Sequence, residues 1–539
     1  MPAFQTHESW TELAEHSSLF KHLCEEVLPE YLFQCRWFGG KAGHILQVSI
    51  EDVVHLQDDF RHYYLLVVEV FFKESFAHHY LLPLALKPAK EPVPEHALLV
   101  NLQLPNGHFQ LIDAVYDQGF HRALYHQFHS NNQVKTGANC LYFKAQEPLL
   151  PQEEFHSQLL NAEQSNSTLI LQEAYFLKLF RRLFRDKNPD FEINEFLAQQ
   201  SIFKNYPTLA GLIWLRTSSG FEISLGLMQK KVPNQGDAWN WMLGELKSYF
   251  TTAGHEATQD FNPEDSFIKP LKFEALPAGL QQNPGQRFFK QIQKLAQRTA
   301  EMHLALAAER RDRNFNPIAY NSDFTVWLKN RLIYQFEARY NLLAKKKASL
   351  PQQAQAMADE VIAQKDFIIN FILGFDEETL QSSRIRIHGD YHLGQILIQN
   401  DDFYILDFEG EPESTIRDRK VKQSPLKDVA GLFRSFHYAL FATLFNEQED
   451  YPNTQQLSEA KALYRSMVGV FMRQYRQIAF NHNLDIGYHK EINYLLHYFL
   501  LEKAIYELGY ELNGRPGWAI IPLRGIIEII KEIKEHEQA

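Results

Sequence analysis

Between Arg384 and Pro412 the chain reads RIRIHGDYHLGQILIQNDDFYILDFEGEP. Asp390 follows a His-Gly pair, Gln395 stands five positions later, and Asp407 lies beyond an apolar stretch with the composition of a hairpin. Phosphoryl transfer needs little covalent help from a protein. It needs in-line positioning, a metal to neutralise phosphate charge, and a carboxylate that orients or accepts the proton of the attacking hydroxyl. Asp390 is the candidate base, Gln395 and Asp407 are candidate magnesium ligands, and Glu409 adds a further hard oxygen. Each residue alone has a plainer reading, such as a turn whose carboxylate caps backbone amides. The combination is far more specific. A metal-dependent hydrolase built on His388 and His392 is the competing chemistry, but the loop lacks the helical His-Glu-x-x-His frame and a third ligand cluster.

Nucleotide contacts are sought upstream. Lys178 alternates with apolar neighbours in YFLKLF, a strand pattern that sets a lone cation against phosphate. Glu192 falls early in the next helix and is the expected ion-pair partner, with Glu195 as its rival. The alternative for Lys178 is a solvated surface residue. EQSNST precedes this strand without any glycine; Gln164, Ser165, Asn166 and Ser167 offer backbone amides and side chains for phosphate, or form an ordinary turn. RWFGGKAG reads as a tight turn, since Ala42 stands where a phosphate loop needs Ser or Thr.

These groups need elements to hold them. A helical stretch over 8–31 precedes β-rich segments HILQVSIEDVV, YYLLVVEVFF, HHYLLPLAL and HALLVNLQL. FHRALYHQF then suggests a short helix. AEQSNSTLILQ with EAYFLKLFRRL, and AGLIWLRT with FEISLGLMQKKV, read as strand pairs around the helix NPDFEINEFLAQQ, capped by Asp190. Past the connector PNQGDAW the periodicity predicts helices over 239–248, 291–309, 323–343, 354–373, 425–444, 458–480, 490–512 and 524–537. The expected domains are therefore 1–110, 111–235 and 236–539, with ligands in the cleft between a β-rich and a helical lobe.

Composition sets the bounds. The 539 residues exceed one ordinary core, and 45% hydrophobic with 22% charged residues is globular. A net charge of −12 argues against nucleic acid as a partner. Three cysteines without metal spacing suit a reducing, cytoplasmic setting. The N-terminus does not read as a signal peptide, and the most apolar run, YYLLVVEVFF, is too short to span a membrane.

HGDYHLGQ, ILDFEGEP and SPLKDVAGLFRSF resemble the bacterial maltokinases, as do RWFGGK, AEQSNST, NQGDAW, AEMHLALA and EKAIYELGYE followed by RPGW and IPLRG. The likeness spans most of the chain. It implies an α+β, bilobal protein-kinase-like (aminoglycoside phosphotransferase-like) fold with an N-terminal α/β cap and a mostly helical C-terminal lobe. It also implies transfer of the ATP γ-phosphate to the anomeric hydroxyl of maltose with Mg²⁺, within trehalose and glycogen metabolism, and a separate trehalose synthase as a possible partner. By the same resemblance Asp390 is the base, Gln395 and Asp407 bind magnesium, and Lys178 contacts ATP. Lys503, Tyr506 and Tyr510 fall at i, i+3 and i+7 on one helical face suited to a sugar, with Glu511, His392 and Arg434 as further sugar contacts. The alternative for that face is core packing with Lys503 paired to Glu507. An amino sugar such as glucosamine is the runner-up substrate, and a kinase-like scaffold the non-enzymatic reading.

Overall fold

The computed structural model describes residues 4–12, 17–58, 61–74, 76–151, 154–160, 165–200, 202–252, 266, 268–308, 311–412, 414–446 and 452–537. They form two compact units: Met1–Ala198 with Pro207–Lys231, and Gln199–Tyr206 with Val232–Ala539.

The first unit holds two sheets. One contains β1 (Phe4–Gln5), β2 (Ile45–Asp58), β3 (Arg61–Phe72), β4 (Ala77–Pro88), β5 (Leu98–Leu104) and β6 (Gly107–Asp113), in the order β1-β5-β6-β4-β3-β2. The second contains β7 (Gln133–Thr136), β8 (Asn139–Ala145), β9 (Ser157–Leu160), β10 (Asn166–Leu171), β11 (Tyr175–Phe180), β13 (Leu209–Arg216) and β14 (Glu222–Lys230), in the order β7-β8-β13-β14-β11-β10-β9. The chain leaving β11 crosses back as β12 (Arg182–Leu183), which pairs with β4. The unbroken apolar run of β3 now has a cause. Successive side chains point to opposite faces. Tyr63, Leu65 and Val67 enter a core shared with the second sheet, while Tyr64, Leu66, Val68 and Val70 pack toward the N-terminal helices.

Those helices depart from the expected continuous 8–31 stretch. Short helices α1 (Ser18–His22) and α2 (Leu28–Gln34) flank a wider π turn at Leu23–Val27. Pro29 enters α2 in its first turn, where its missing N–H costs nothing, whereas farther into a continuous helix it would break a bond. Residues 13–16 of the expected helix lie outside the described residues. Two further helices, α3 (Gln118–His129) and α4 (Pro189–Leu197), complete the first unit.

The second unit is mainly helical: α5 (Ala238–Thr252), α6 (Gln286–Leu306), α7 (Ser322–Lys346), α8 (Gln352–Ala363), α9 (Lys365–Leu373), α10 (Leu426–Asn446), α11 (Thr454–Asn481), α12 (His489–Gly514) and α13 (Ile520–Glu537). The helix expected over 354–373 is two. Gln364 at φ −94°, ψ 10° turns the chain, and its N–H bonds back to Val361, three residues earlier. Helix α12 sits centrally, packed by α7, α10 and α13, and it is buried on several sides, with Leu496, Leu500, Ile505 and Leu512 all inaccessible or nearly so. A hairpin of β15 (Ile396–Gln399) and β16 (Asp402–Ile405) carries the opening motif. Asn400 and Asp401 both take positive φ, 49° and 60°, which matches the twist a two-residue hairpin needs. Arg298 of α6 grips Asp402 with two donors, at 2.8 and 2.5 Å, and so fixes this hairpin to the helical frame. No described helix is long and apolar enough to cross a membrane.

Candidate active site

Asp390 lies on the loop before β15, and two glycines let that loop fold against the one after β16. Gly389 (φ +86°) and Gly410 (φ +73°) approach so closely that a Cβ on Gly389 would stand 3.1 Å from the Gly410 Cα. Asp407 itself adopts φ +60°, an unusual conformation for a residue with a side chain, held because both flanking segments are anchored. Its Oδ2 accepts from Gln395 Nε2 at 3.1 Å, so the two expected metal ligands are adjacent. Their carboxylate and amide oxygens are the hard donors that magnesium takes, so the residues fit such an ion. Glu409 stands 3.9 Å from Arg419, whose guanidinium loses basicity through burial even though Glu409 and Asp407 pull the other way.

The loop is braced by a residue that sequence reasoning passed over. Asp428, buried at the start of α10, accepts from the backbone N–H of His388 (2.8 Å) and of Gly389 (2.9 Å), and from His303 Nε2 at 3.1 Å. His303 is in turn hydrogen-bonded to Tyr475 at 2.8 Å. Burial would raise the Asp428 pKa, but the His303 hydrogen bond and charge hold it below the ordinary carboxylate value. Gly431, one turn on, is required by space, because a Cβ there would meet the Tyr391 carbonyl at 2.8 Å. Asp428 and His303 both lie inside quoted motifs, SPLKDVAG and AEMHLALA, yet nothing local marks either as a brace.

Lys503 is placed differently from its expected role as a sugar contact alone. Its ammonium donates to Asp390 Oδ1 at 3.0 Å and stands 3.7 Å from Glu411 Oε1, above the Tyr506 ring at 4.8 Å. Burial opposes the charged forms on both sides. The mutual attraction wins, so Asp390 titrates below its usual value and Lys503 above its own. Asp390 Oδ2 points toward His392, whose Nε2 is 3.8 Å away and whose Nδ1 accepts from the Gly394 N–H. Burial lowers the His392 pKa despite that carboxylate, which keeps the imidazole neutral near pH 7.

The ion-pair chain continues. Glu411 accepts from Arg331 (3.0 Å); Glu502 accepts from Arg331 (2.6 Å) and Lys427 (3.0 Å). Asp390, Glu411, Lys427, Glu502 and Lys503 line one pocket of about 290 Å³. Asp428 lines it too, so four carboxylates and two lysines face the pocket, while Arg331 binds Glu411 and Glu502 without being part of the lining.

Several expected contacts are corrected by their geometry. Arg434 is buried and bound through Nε and Nη2 to Glu507 at 3.1 and 2.5 Å, so its guanidinium is engaged between two helices and is not among the groups that line the Asp390 pocket. The same pair removes Glu507 as the partner of Lys503. Glu511 is buried too, with its oxygens engaged by the Tyr438 hydroxyl and by Arg515. Tyr510 remains 58% exposed, and Arg515 lies over both its ring and that of Trp518, which stacks with Tyr438. An aromatic surface therefore does form at this end of α12, but it includes Tyr438 and Trp518, which the helical spacing of α12 could not reveal.

In the first unit, Lys178 points from β11 to Asp190 at 3.3 Å, an acid of the same helical turn as the expected partner Glu192. Asn188 caps α4 by accepting from the Asp190 N–H, which puts Asp190 in the first turn, facing β11. The second oxygen of Asp190 accepts from Asn194 at 2.9 Å. Glu192 is buried in the same helix, and the rival Glu195 pairs with Lys187 at 3.1 Å. Of the expected phosphate segment, Gln164 lies outside the described residues, Ser165 is exposed, and Asn166 and Ser167 belong to β10 and not to a loop. Ser167 Oγ accepts from Arg181 Nε at 2.7 Å, and Arg181 also donates to the buried Asp113 at 2.7 Å. That side chain is spent on joining the two sheets.

Comparison with known proteins places this geometry. Residues 31–117 match the family model described as the maltokinase N-terminal cap domain. A glucosamine kinase of Streptacidiphilus jiangxiensis is 23% identical over 372 residues, 69% of this chain and 72% of the relative. A glucosamine kinase solved in complex with glucosamine, ADP and inorganic phosphate superposes with a TM-score of 0.62 at 16% identity, covering 97% of this chain and 99% of that one. Crystal form B of glucosamine kinase gives the same TM-score over 97% and 100%. The chain therefore carries a segment that matches the maltokinase N-terminal cap, and with its mixed sheets and helical C-terminal part it has the fold of the glucosamine kinase structures.

Proposed function

We propose that the protein is an ATP- and Mg²⁺-dependent sugar kinase whose acceptor is the anomeric hydroxyl of maltose. The observation that carries this reading is the Lys503-clamped Asp390 beside the Gln395–Asp407 pair. A depressed pKa keeps Asp390 ionised at neutral pH, and with Oδ1 taken by Lys503 its Oδ2 is the oxygen that orients an incoming hydroxyl. Asp407 and Gln395, with Glu409 nearby, would hold magnesium, which when bound neutralises charge on the transferring phosphate. Lys178, steadied by Asp190, is assigned to the nucleotide phosphates.

The glucosamine kinase relatives favour an amino sugar as the second reading. Charge in the pocket favours a neutral one. Asp390, Glu411 and Glu502 are each paired with Lys503, Arg331 or Lys427, and Asp428 accepts from His303 and two backbone N–H groups, so a substrate ammonium would compete with these partners and would meet two lysines. Hydroxyls both donate and accept, and they suit a lining of carboxylates and lysines that are already paired. The exposed Tyr510 ring and the Tyr438–Trp518 stack give a second pyranose an apolar face to cover. Incubation with ATP, Mg²⁺ and maltose should release ADP and give an anomeric phosphate in the phosphorus NMR spectrum. Turnover of glucosamine well above maltose would overturn the acceptor, and absence of transfer to any sugar would overturn the kinase reading in favour of a scaffold.

A further inference from the structure

Helices α10, α11, α12 and α13 line a second, partly open cavity, about 410 Å³ with its solvent-filled mouth included, that contains none of the site residues expected for catalysis or metal binding. Arg434, His437, Lys461, Arg465 and Glu528 are among its lining groups. Several charged side chains line it, and its hydrogen bonding is incomplete. His437 Nδ1 and Arg465 Nε are buried without a partner, in side chains only 2% and 5% exposed. A buried polar atom left so costs about 1–3 kcal/mol unless something fills the site.

The two orphaned atoms have opposite needs. The contact of His437 Nε2 with Glu528 at 3.4 Å assigns the ring proton to Nε2, which leaves Nδ1 as an acceptor. Burial beside Arg434 pushes the His437 pKa down to about 4, which keeps the ring neutral. Arg465 Nε–H is a donor, and its guanidinium is 3.7 Å from Glu532, within ion-pair range but without a hydrogen bond through Nε. Lys461 is exposed at the cavity and makes no ion pair among the described residues. The acids are already engaged: Glu507 by Arg434, Glu528 by His437 and Arg524, Glu532 by Arg465. Four cations therefore stand against three carboxylates. Gly525 completes the arrangement, because a Cβ there would lie 2.1 Å from Arg434 Nη1 and displace the guanidinium.

We propose that this cavity binds a protonated oxyanion of the hydrogen phosphate class, accepting from Arg465 and Lys461 while its own P–OH donates to His437 Nδ1. The proposal is independent of the sugar-kinase reading. A fully ionised anion satisfies the cations and leaves His437 unpaired; a neutral hydroxyl leaves the excess positive charge. Hydrogen phosphate does both jobs.

The test is titration of inorganic phosphate into the intact protein by calorimetry at pH 7, with ADP saturating, for wild type and for Lys461→Ala. Lys461 is exposed, so its removal leaves folding intact. Loss of its charge-assisted bond should weaken phosphate binding by about tenfold or more. Sulfate, which carries no proton at this pH, should bind wild type at least about tenfold more weakly than phosphate, because it has nothing to give His437. Arg465→Gln should weaken phosphate further where that variant folds. Equal affinity for sulfate and phosphate, or an unchanged affinity in Lys461→Ala, overturns the proposal. Once both differences are measured, tighter binding of glycerol phosphate assigns the site to phosphate monoesters, and tighter binding of inorganic phosphate assigns it to the free ion.

Discussion

Replacing Lys503 with Met should change the protonation behaviour of the active site, and not only its affinity for sugar. Methionine keeps the apolar stem under Tyr506 and removes the ammonium 3.0 Å from Asp390. At that distance two unit charges attract by about 5–6 kcal/mol at an effective dielectric of ~20. Both side chains are under a third exposed, 18% and 20%, so solvent screens the pair only in part, while burial of each charge offsets much of the gross attraction. A net value of about 1.5–3 kcal/mol, the usual range for a charged hydrogen bond, is the reasonable expectation. The sign follows from the direction of the shift. Asp390 is held below its ordinary pKa, so the pair stabilises the native state at neutral pH, and that contribution is lost as pH falls through the depressed value. In Lys503→Met, burial acts without its main opponent and raises the Asp390 pKa. The acid limb of the kcat/KM profile should therefore move to higher pH, and kcat/KM for maltose at neutral pH should fall by about 10- to 150-fold. ATP affinity should stay near wild type. The assay is coupled ADP release across pH, with denaturant unfolding at neutral and acidic pH beside it. A folded variant whose acid limb and kcat/KM match wild type would refute the clamp.

Asp390→Asn should keep nucleotide binding and lower kcat by about 10²–10⁴-fold, whereas Asp407→Asn should also raise the Mg²⁺ concentration needed for turnover; calorimetry with ATP separates the two, and equal loss of ATP binding would contradict separate roles. Asp428→Asn places an amide N–H against the backbone donors of His388 or Gly389 and should cost about 2–4 kcal/mol in urea unfolding, with kcat falling as the loop loosens. Unchanged stability there would show that the loop is held by other contacts. Lys178→Met should weaken ATP use while leaving maltose binding intact, read by comparing the two ligands in calorimetry.

The local chemistry was legible in the residues because it depends on short separations along the chain. Spacing alone proposed that Asp390, Gln395 and Asp407 share a loop-and-hairpin unit, and the Gln395–Asp407 bond shows two of them in contact. Helical periodicity likewise located α10, α11 and α12, since apolar repeats report which face is buried. What the sequence left undecided were partnerships between distant elements. Lys178 was matched to an acid of α4 by position alone, and the Asn188 cap is what brings Asp190 of the first turn to 3.3 Å from it. Ser167 looked like a phosphate contact until the crossing of the two sheets brought Arg181 to its hydroxyl. On α12, one helical face was read as a single sugar surface. The packing of α10 beside α12 assigned Arg434 to Glu507, and Lys503 took Asp390 from a loop more than a hundred residues away. Charge partners are chosen by proximity in space under the cost of burial, and a one-dimensional pattern carries neither.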